Sequence, residues 1–260
     1  MVIIVAAVLS FIALQLKPVQ QKNIELEQMQ NILAAVNIES TVKNVEDEFK
    51  KYITNSFVVN ISGDTVESAE AITINMQNEL NKILEIKNIK SGASSSKMSP
   101  FKKFLSRFIT FETVNIESLN KKTEDIKTTR LLPVYVCLKD TTNYYVFPLR
   151  GKGLWGPIWG YISLEGNFNT VYGANFDHKS ETPGLGAEIK ENWFEAQFKG
   201  KRIFDDNNKF ISVKVLKGGG SEGNPYAVDA ISGGTITSKG LEAMIFDCMY
   251  DYQNYIKRLN

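Results

Sequence analysis

The sequence has few residues of the kinds that hold metals or cross-link small domains. Among 260 residues it has one histidine, His178, and two cysteines, Cys137 and Cys248. Two cysteines cannot build a CxxC zinc knuckle, an iron–sulfur cluster or a disulfide framework, and one histidine excludes multi-histidine zinc and haem sites. The cysteines fall on a predicted strand and on the apolar side of a predicted helix. We therefore expect two buried thiols, although a pairing between them stays open at this point.

The chain also lacks an excess of charge of either sign. Its 30 Lys and Arg residues against 29 Asp and Glu give a formal net charge of +1. Without an overall positive field, no nucleic-acid partner is expected. Neither a GxxxxGK[ST] phosphate loop nor a GxGxxG turn after a strand is present, so nucleotide binding of those two kinds is not indicated.

The N-terminus carries an uncharged apolar run. Val2–Leu16 reads VIIVAAVLSFIALQL and spans roughly 22 Å as a helix, short of the ~30 Å hydrocarbon core. We predict a transmembrane anchor over residues 1–17, with further apolar residues expected upstream of Met1. A cleaved signal peptide is the first alternative, but no basic leading region or A-x-A site precedes Lys17 and Pro18. A buried core helix is the second.

Two further segments follow the anchor. Residues 18–130 are predicted to be a helical stalk and an α/β packing region, in which residues 40–129 hold no motif with an evident chemistry. Residues 131–260 mix β-rich runs with helices without strict βαβ alternation. This indicates an α+β fold with a twisted, mainly antiparallel sheet and flanking helices, plus one N-terminal transmembrane helix. The spacing of apolar residues predicts a helix at 188–198, a strand at 210–216 and a closing helix at 238–259.

The first of three glycine-rich stretches is RGKGLWGPIWG, residues 150–160. Glycine lets the backbone approach a ligand closely, and Trp155 offers a flat apolar wall. The alternative is a tight turn with core tryptophans.

The second stretch is DHKSETPGLGAEI, residues 177–189. Its Thr-Pro-Gly-Leu-Gly sequence predicts a sharp turn that presents Leu185 as an apolar tip. Glu181 is an acid without an identifiable partner carboxylate, so a general acid–base pair is unsupported. His178 between charged neighbours is more typical of a surface histidine than of a catalytic one.

The third stretch is DAISGGTITS, residues 229–238, directly before the closing helix. Its hydroxyl groups could simply cap that helix. The functional alternative is an anion site, since glycines let a phosphate approach the backbone and a helix N-terminus offers free N–H groups. A threonine hydroxyl there is also a candidate point of attachment.

Asp229-x-x-Ser232-Gly233-Gly234-Thr235 resembles the attachment motif of FMN-binding domains that carry the flavin on a threonine phosphoester. GKGLWGPIWGYISLE and HKSETPGLGAEI, at 151–165 and 178–189, look like companion motifs of one such family. That family is the C subunit of the sodium-translocating NADH:quinone oxidoreductase. Where this chain has Gly234, the family more often has alanine. The G subunit of the related Rnf electron-transport complex is the near alternative, and a membrane-anchored binding or assembly module without redox function is a third.

The resemblance implies a function. FMN would be joined by its phosphate to Thr235 through a separate flavin transferase that reads a motif beginning at Asp229, and the subunit would relay electrons one at a time. It would act with the other subunits of a membrane complex, as a single-pass protein of the bacterial inner membrane whose soluble part is periplasmic, and it would be catalytically incomplete alone. The implied contacts are with the phosphate or the adjoining chain (Ser232, Gly233, Gly234, Thr237, Lys217) and with the ring or ribityl chain (Thr182, Gly184, Leu185, Gly186, Trp155).

Overall fold

The computed structural model describes residues 2–82, 85, 124 and 129–259. These residues form two compact units. The first contains Met1–Ser56 and Val134–Met249, and the second contains Phe57–Pro133 and Tyr250–Asn260. All three glycine-rich stretches lie in the first unit. The fold is α+β with a mainly antiparallel sheet, as the sequence predicts.

The helices are α1 (Val2–Ala34), α2 (Val45–Tyr52), α3 (Asn192–Glu195) and α4 (Thr235–Leu259), and residues 76–82 are also helical. The strands are β1 (Ile53–Val59), β2 (Leu132–Lys139), β3 (Thr142–Lys152), β4 (Pro157–Leu164), β5 (Val171–His178), β6 (Lys214–Leu216) and β7 (Ala227–Asp229). Short 3-10 helices occupy Ala71–Thr73, Gly186–Lys190 and Ala196–Phe198.

Five strands form one sheet in the order β1-β2-β3-β4-β5. The pairs β2–β3, β3–β4 and β4–β5 are antiparallel, with Gly151 opposite Ile158 and Gly160 opposite Phe176. Short connections suffice because antiparallel neighbours need only a turn. Strands β6 and β7 form a separate parallel pair that ends at Asp229.

Both faces of the sheet are covered. On one face Gly151 lies so close to α4 that an added Cβ would be 2.6 Å from Met244 Cβ. On the opposite face the Ser163 hydroxyl donates to the carbonyl of Ala35, just after α1, at 2.6 Å. Since partners across antiparallel strands share a face and neighbours along a strand alternate, these contacts define two packing layers. A covered sheet explains why β2 is buried from Leu132 through Cys137.

Helix α1 is continuous through Pro18. Its described apolar side chains in the first five turns are exposed, from 82% at Val2 to 47% at Leu16, and Leu26 is the first buried residue. A core helix would bury that surface, so the core-helix alternative is wrong. Within the described residues, this is the one helix long and apolar enough to cross a membrane.

Both cysteines are buried, as expected. Each lies in the structure as a thiol, and no disulfide joins the two. Burial raises the pKa of Cys137 to about 11, and the Cys248 thiol lies 3.5 Å from the carbonyl oxygen of Arg150. The Cys137 thiol is therefore not poised as a nucleophile at neutral pH.

Three predicted boundaries were wrong. The helix predicted at 188–198 is broken into the 3-10 helix Gly186–Lys190, the single turn α3 and the 3-10 helix Ala196–Phe198. The strand predicted at 210–216 contains only Lys214–Leu216, because Ser212 takes a positive φ of 61° that interrupts extended backbone. The closing helix begins three residues earlier than predicted, at Thr235.

The second unit contains a buried charge cluster. Arg130, 2% exposed, forms an ion pair with Asp251 and lies 4.0 Å from the Glu79 carboxylate. Glu79 also accepts a bond from Lys82 at 2.8 Å. Pairing of this kind is what permits a guanidinium to be buried.

Candidate functional site

The site begins at the turn that starts α4. Gly234 N–H donates to the carbonyl of Ile231 at 3.1 Å, and Gly233 takes a φ of +74° that a residue with a side chain rarely adopts. Thr235 is the first residue of the helix and is half-buried. Ser238 N–H makes the first helical bond, to the Gly234 carbonyl at 2.9 Å. The N–H groups of residues 235 to 237 precede it and have no acceptors within the helix, so they are available to an anion.

A cavity of about 410 Å³ lies beside this turn. Four of the predicted site residues, Lys217, Ser232, Gly233 and Thr235, line it, together with Gly218, Gly219, Ala230 and Ile231. The lining thus combines one cation, two hydroxyl groups and glycine backbone, and no carboxylate is among these residues. That chemistry suits a phosphate or another oxyanion.

The loop of Lys217, Gly218 and Gly219 forms the other wall of the cavity. Both glycines have a positive φ, 75° and 73°, and a side chain added at either would meet open space. Our sequence interpretation named Lys217 but missed the two glycines. A run of three glycines, one residue after the strand predicted at 210–216, was the signal that could have found them.

Asp229 lies outside the cavity lining. Its carboxylate accepts the Ser221 N–H at 3.1 Å, and its own N–H donates to the Gln197 side chain at 2.9 Å. Asp229 therefore anchors the far end of the glycine loop to the end of β7.

A tight turn carries Leu185 to the start of α4. Leu185 N–H donates to the carbonyl of Thr182 at 3.1 Å, with Pro183 second and Gly184, at a φ of +73°, third, which is the residue pattern of a type II turn. Leu185 is 40% exposed. A Cβ added to Gly233 would lie 2.5 Å from Leu185 Cδ2, so this leucine covers the glycine of the α4 turn.

Beneath that turn the Glu181 carboxylate is buried, with 4% exposure. One oxygen accepts the Thr237 hydroxyl at 2.5 Å, and the other accepts the N–H of Trp155 at 2.8 Å. Burial opposes its ionisation, but hydrogen bonds from Thr237 and from the N–H groups of Trp155, Leu154 and Gly156 outweigh burial and lower the pKa of Glu181. The acid that lacked a partner in sequence thus has a full set of donors.

Trp155 sits at the tip of the β3–β4 hairpin. The turn is closed by Gly153 N–H donating to the carbonyl of Gly156 at 2.8 Å. The Trp155 side chain is 66% exposed, while its backbone is tied to Glu181. This excludes the alternative of a core tryptophan at this position and leaves an accessible indole.

His178, at the end of β5, belongs to the same neighbourhood. Its Nδ1 accepts the Glu181 N–H at 3.2 Å. Its Nε2 is buried and has no hydrogen-bond partner among the described residues. The histidine supports the backbone of Glu181, in contrast to the surface role expected from its neighbours in sequence.

The structure therefore divides the predicted residues into two groups. One group borders the cavity: Lys217, Ser232, Gly233 and Thr235. The other surrounds the buried carboxylate or the turn above it: Trp155, Thr182, Gly184, Leu185, Gly186 and Thr237. Gly234 joins the groups, because a Cβ added there would lie 3.3 Å from the backbone nitrogen of Gly186.

The cavity residues fit the phosphate end of a flavin mononucleotide. A hydroxyl, a lysine and a helix N-terminus meet where glycines leave room for a large anion, and about 410 Å³ lies within the range of small-molecule sites. Exposed apolar side chains, Leu185 and Trp155, are nearby in the fold for a flat ring.

Residues 153–249, which contain strands β4 to β7, the cavity and the start of α4, match the family model described as FMN-binding domain. The C subunit of the Na⁺-translocating NADH-quinone reductase of Vibrio campbellii is 30% identical over 242 residues, which cover 92% of this chain and 83% of that protein. The Vibrio vulnificus protein of the same name is 30% identical over 241 residues with the same coverage. The chain belongs to this family of C subunits.

Solved structures give the same result. The C subunit from Parabacteroides distasonis superimposes with a TM-score of 0.69 at 33% identity, covering 93% of this chain and 96% of that one. NqrC from Shewanella oneidensis has a TM-score of 0.63 at 24% identity, covering 91% and 98% of the two chains, and shows the shared fold. Of the two complexes considered from the sequence, these relatives support the reductase over Rnf.

Proposed function

We propose that this chain is the electron-carrier subunit of a membrane Na⁺-translocating NADH:quinone oxidoreductase and holds FMN through a phosphoester on Thr235. The observation that carries the proposal is the position of Thr235, which is half-buried at the first residue of α4 and lines the 410 Å³ cavity. Its hydroxyl therefore lies among groups that stabilise a phosphate. FMN, when bound, supplies one-electron redox chemistry, and the protein supplies position and electrostatics.

The cavity residues have separate roles in this proposal. Lys217 balances phosphate charge, the Ser232 hydroxyl and the first-turn N–H groups donate hydrogen bonds, and the glycines at 218, 219, 233 and 234 admit the ligand. Asp229 shapes the glycine loop and begins the motif that a flavin transferase recognises. Leu185 and Trp155 shield the flavin ring from water, while Thr182, Gly184 and Gly186 hold the Leu185 turn.

The remaining assignments concern the membrane and partners. We propose that residues 1–17 anchor the chain in the bacterial inner membrane, that residues 18–130 form the stalk and packing region, and that residues 131–260 form the FMN domain on the periplasmic side. The exposed apolar surface of α1 supports the anchor. Electrons would enter and leave through other subunits of the complex, and ion translocation would depend on those subunits.

The test is a Thr235→Ala variant produced in a host that makes the flavin transferase. A phosphoester requires a hydroxyl, so in-gel flavin fluorescence under denaturing conditions should disappear, while circular dichroism stays that of wild type. Thr235 is the first residue of α4 and not its cap. The substitution should therefore change the free energy of unfolding by less than about 0.5 kcal/mol, which a domain of this size survives.

Thr235→Ser is the matched control for that experiment. It keeps an oxygen at the same place and should retain part of the attached flavin. Thr237→Ala and Ser238→Ala should retain the adduct, since neither residue lines the cavity. Covalent flavin that persists in folded Thr235→Ala would refute the proposal.

A further inference from the structure

One buried carboxylate joins the three glycine-rich stretches. Glu181, in the second stretch, accepts the N–H of Trp155 from the first and the hydroxyl of Thr237 from the third, at 2.8 and 2.5 Å. These segments are 26 and 56 residues distant in sequence. This one side chain therefore links the three glycine-rich stretches.

Both oxygens of this carboxylate accept hydrogen bonds. The N–H groups of Leu154 and Gly156 also face it, in addition to Trp155 and Thr237. Four donors on one buried carboxylate fix its ionised form, because each donor would lose a partner if the acid became neutral or turned away. Its position is therefore specified by the segments around it.

Two glycines remove the space for any other arrangement. A Cβ added to Gly153 would lie 2.6 Å from one carboxylate oxygen, and a Cβ added to Gly186 would lie 2.7 Å from the other. The backbone of the β3–β4 hairpin and that of the Leu185 turn thus each pack closely against the Glu181 carboxylate. A change in the carboxylate would be transmitted directly to both loops.

We propose that Glu181 is the positioning residue of the flavin site. It sets the Trp155 hairpin and the Leu185 turn relative to the first turn of α4, and it places a permanent negative charge beneath them. This inference rests on the proposed function, since the ring is assigned to Leu185 and Trp155. A fixed negative charge near the ring disfavours uptake of an electron, so Glu181 holds the reduction potential of the flavin down.

The test uses the full chain carrying attached flavin, with Glu181→Gln as the main variant. Glutamine keeps the shape and one acceptor oxygen but removes the charge. In-gel fluorescence should equal that of wild type, because Thr235 is untouched. The flavin midpoint potential should shift upward, and the visible absorption band of the flavin should shift as well.

Thr237→Val is the second variant, and Glu195→Gln is the matched control. Thr237→Val keeps the charge but removes one bond, so we expect an altered absorption band with a smaller change of potential. Glu195 also accepts a backbone N–H, that of Phe176 at 2.6 Å. Because burial raises the pKa of Glu195 to about 7, the potentials are measured at pH 9, where both carboxylates carry a negative charge. The Glu195→Gln substitution should leave potential and spectrum unchanged.

The outcomes separate the two ideas. Attached flavin with unchanged potential and spectrum in both Glu181→Gln and Thr237→Val overturns the positioning role alone. An equal shift in Glu195→Gln also overturns it, because the effect would then be a general response to lost charge. Absence of attached flavin from the wild-type protein overturns the proposed function and this inference together.

Discussion

Two threonines in the first turn of α4 lie two residues apart and in opposite environments. Thr235 is half-buried and borders the cavity, whereas Thr237 is 2% exposed and donates to Glu181. Residues at i and i+2 point about 200° apart around a helix, so one turn serves two faces. A hydroxyl available to a ligand and a hydroxyl used for structure are therefore distinguished by burial and partners, which similar residue types do not reveal.

The largest expected effect on stability comes from changing the buried face of the first turn of α4, on which Thr237 donates to Glu181. Thr237→Val leaves a buried carboxylate oxygen without one of its donors, which should lower the free energy of unfolding by about 1–3 kcal/mol. Thr235→Val, on the cavity face, should change it by less than about 0.5 kcal/mol. Urea denaturation of the flavin-free protein measures both values, and equal losses would contradict the distinction between the two faces.

The contribution of the Glu181 carboxylate to stability should also depend on pH. The folded-state pKa of Glu181 is below its ordinary value of 4.5, so its ionisation stabilises the protein above that value, and this contribution is lost as the pH falls through the lower folded-state pKa. The difference in unfolding free energy between wild type and Glu181→Gln should therefore shrink from about pH 5 downward. A difference that stays constant between pH 3 and 7 would show that the carboxylate is not specially stabilised.

A smaller effect is expected at Leu185, which covers the α4 turn from above. Leu185→Ala should keep attached FMN but expose it, because the partly exposed leucine contributes less than the roughly 1.5–3 kcal/mol of a fully buried one. Iodide quenching of flavin fluorescence should increase relative to wild type. Unchanged quenching, spectrum and potential would remove Leu185 from the site.

Removing the anchor should have the smallest effect on folding and on flavin attachment. A chain that starts at Lys22 keeps Leu26, the first buried residue of α1, and all three glycine-rich stretches. Exported together with the transferase, it should fold and carry FMN to the wild-type level, although it should not assemble with membrane partners. A folded chain that is never flavinylated would show that the anchor and the site are coupled.

The sequence predicted the parts of the site that depend on local chemistry. The Thr182–Leu185 turn follows from proline and glycine at their preferred positions, and Trp155 follows from the short hairpin around Gly153. Glu181 could not be assigned, since its donors come from residues 26 and 56 positions away. Long-range contacts of this kind leave no periodic pattern in the sequence.

The fold was likewise predicted where patterns are strong. Strands β2 to β4 and the long helix α4 have clear apolar patterns, whereas the segment at 186–198 is divided among three short helices that a continuous apolar pattern conceals. Lys214–Leu216 is shorter than predicted because Ser212 interrupts the extended backbone. Part of the packing region predicted within residues 18–130, namely residues 83–84, 86–123 and 125–128, lies outside the described residues.

The most direct test of the central claim is mass mapping of the attachment site in wild-type protein made with the flavin transferase. Digestion should release a peptide containing residues 229–239 whose mass exceeds that of the unmodified peptide by one FMN phosphoester, and fragmentation should place the addition on Thr235. An addition on Thr237 or Ser232, or an unmodified peptide from protein that retains flavin under denaturing conditions, would contradict the division of roles between the two threonines.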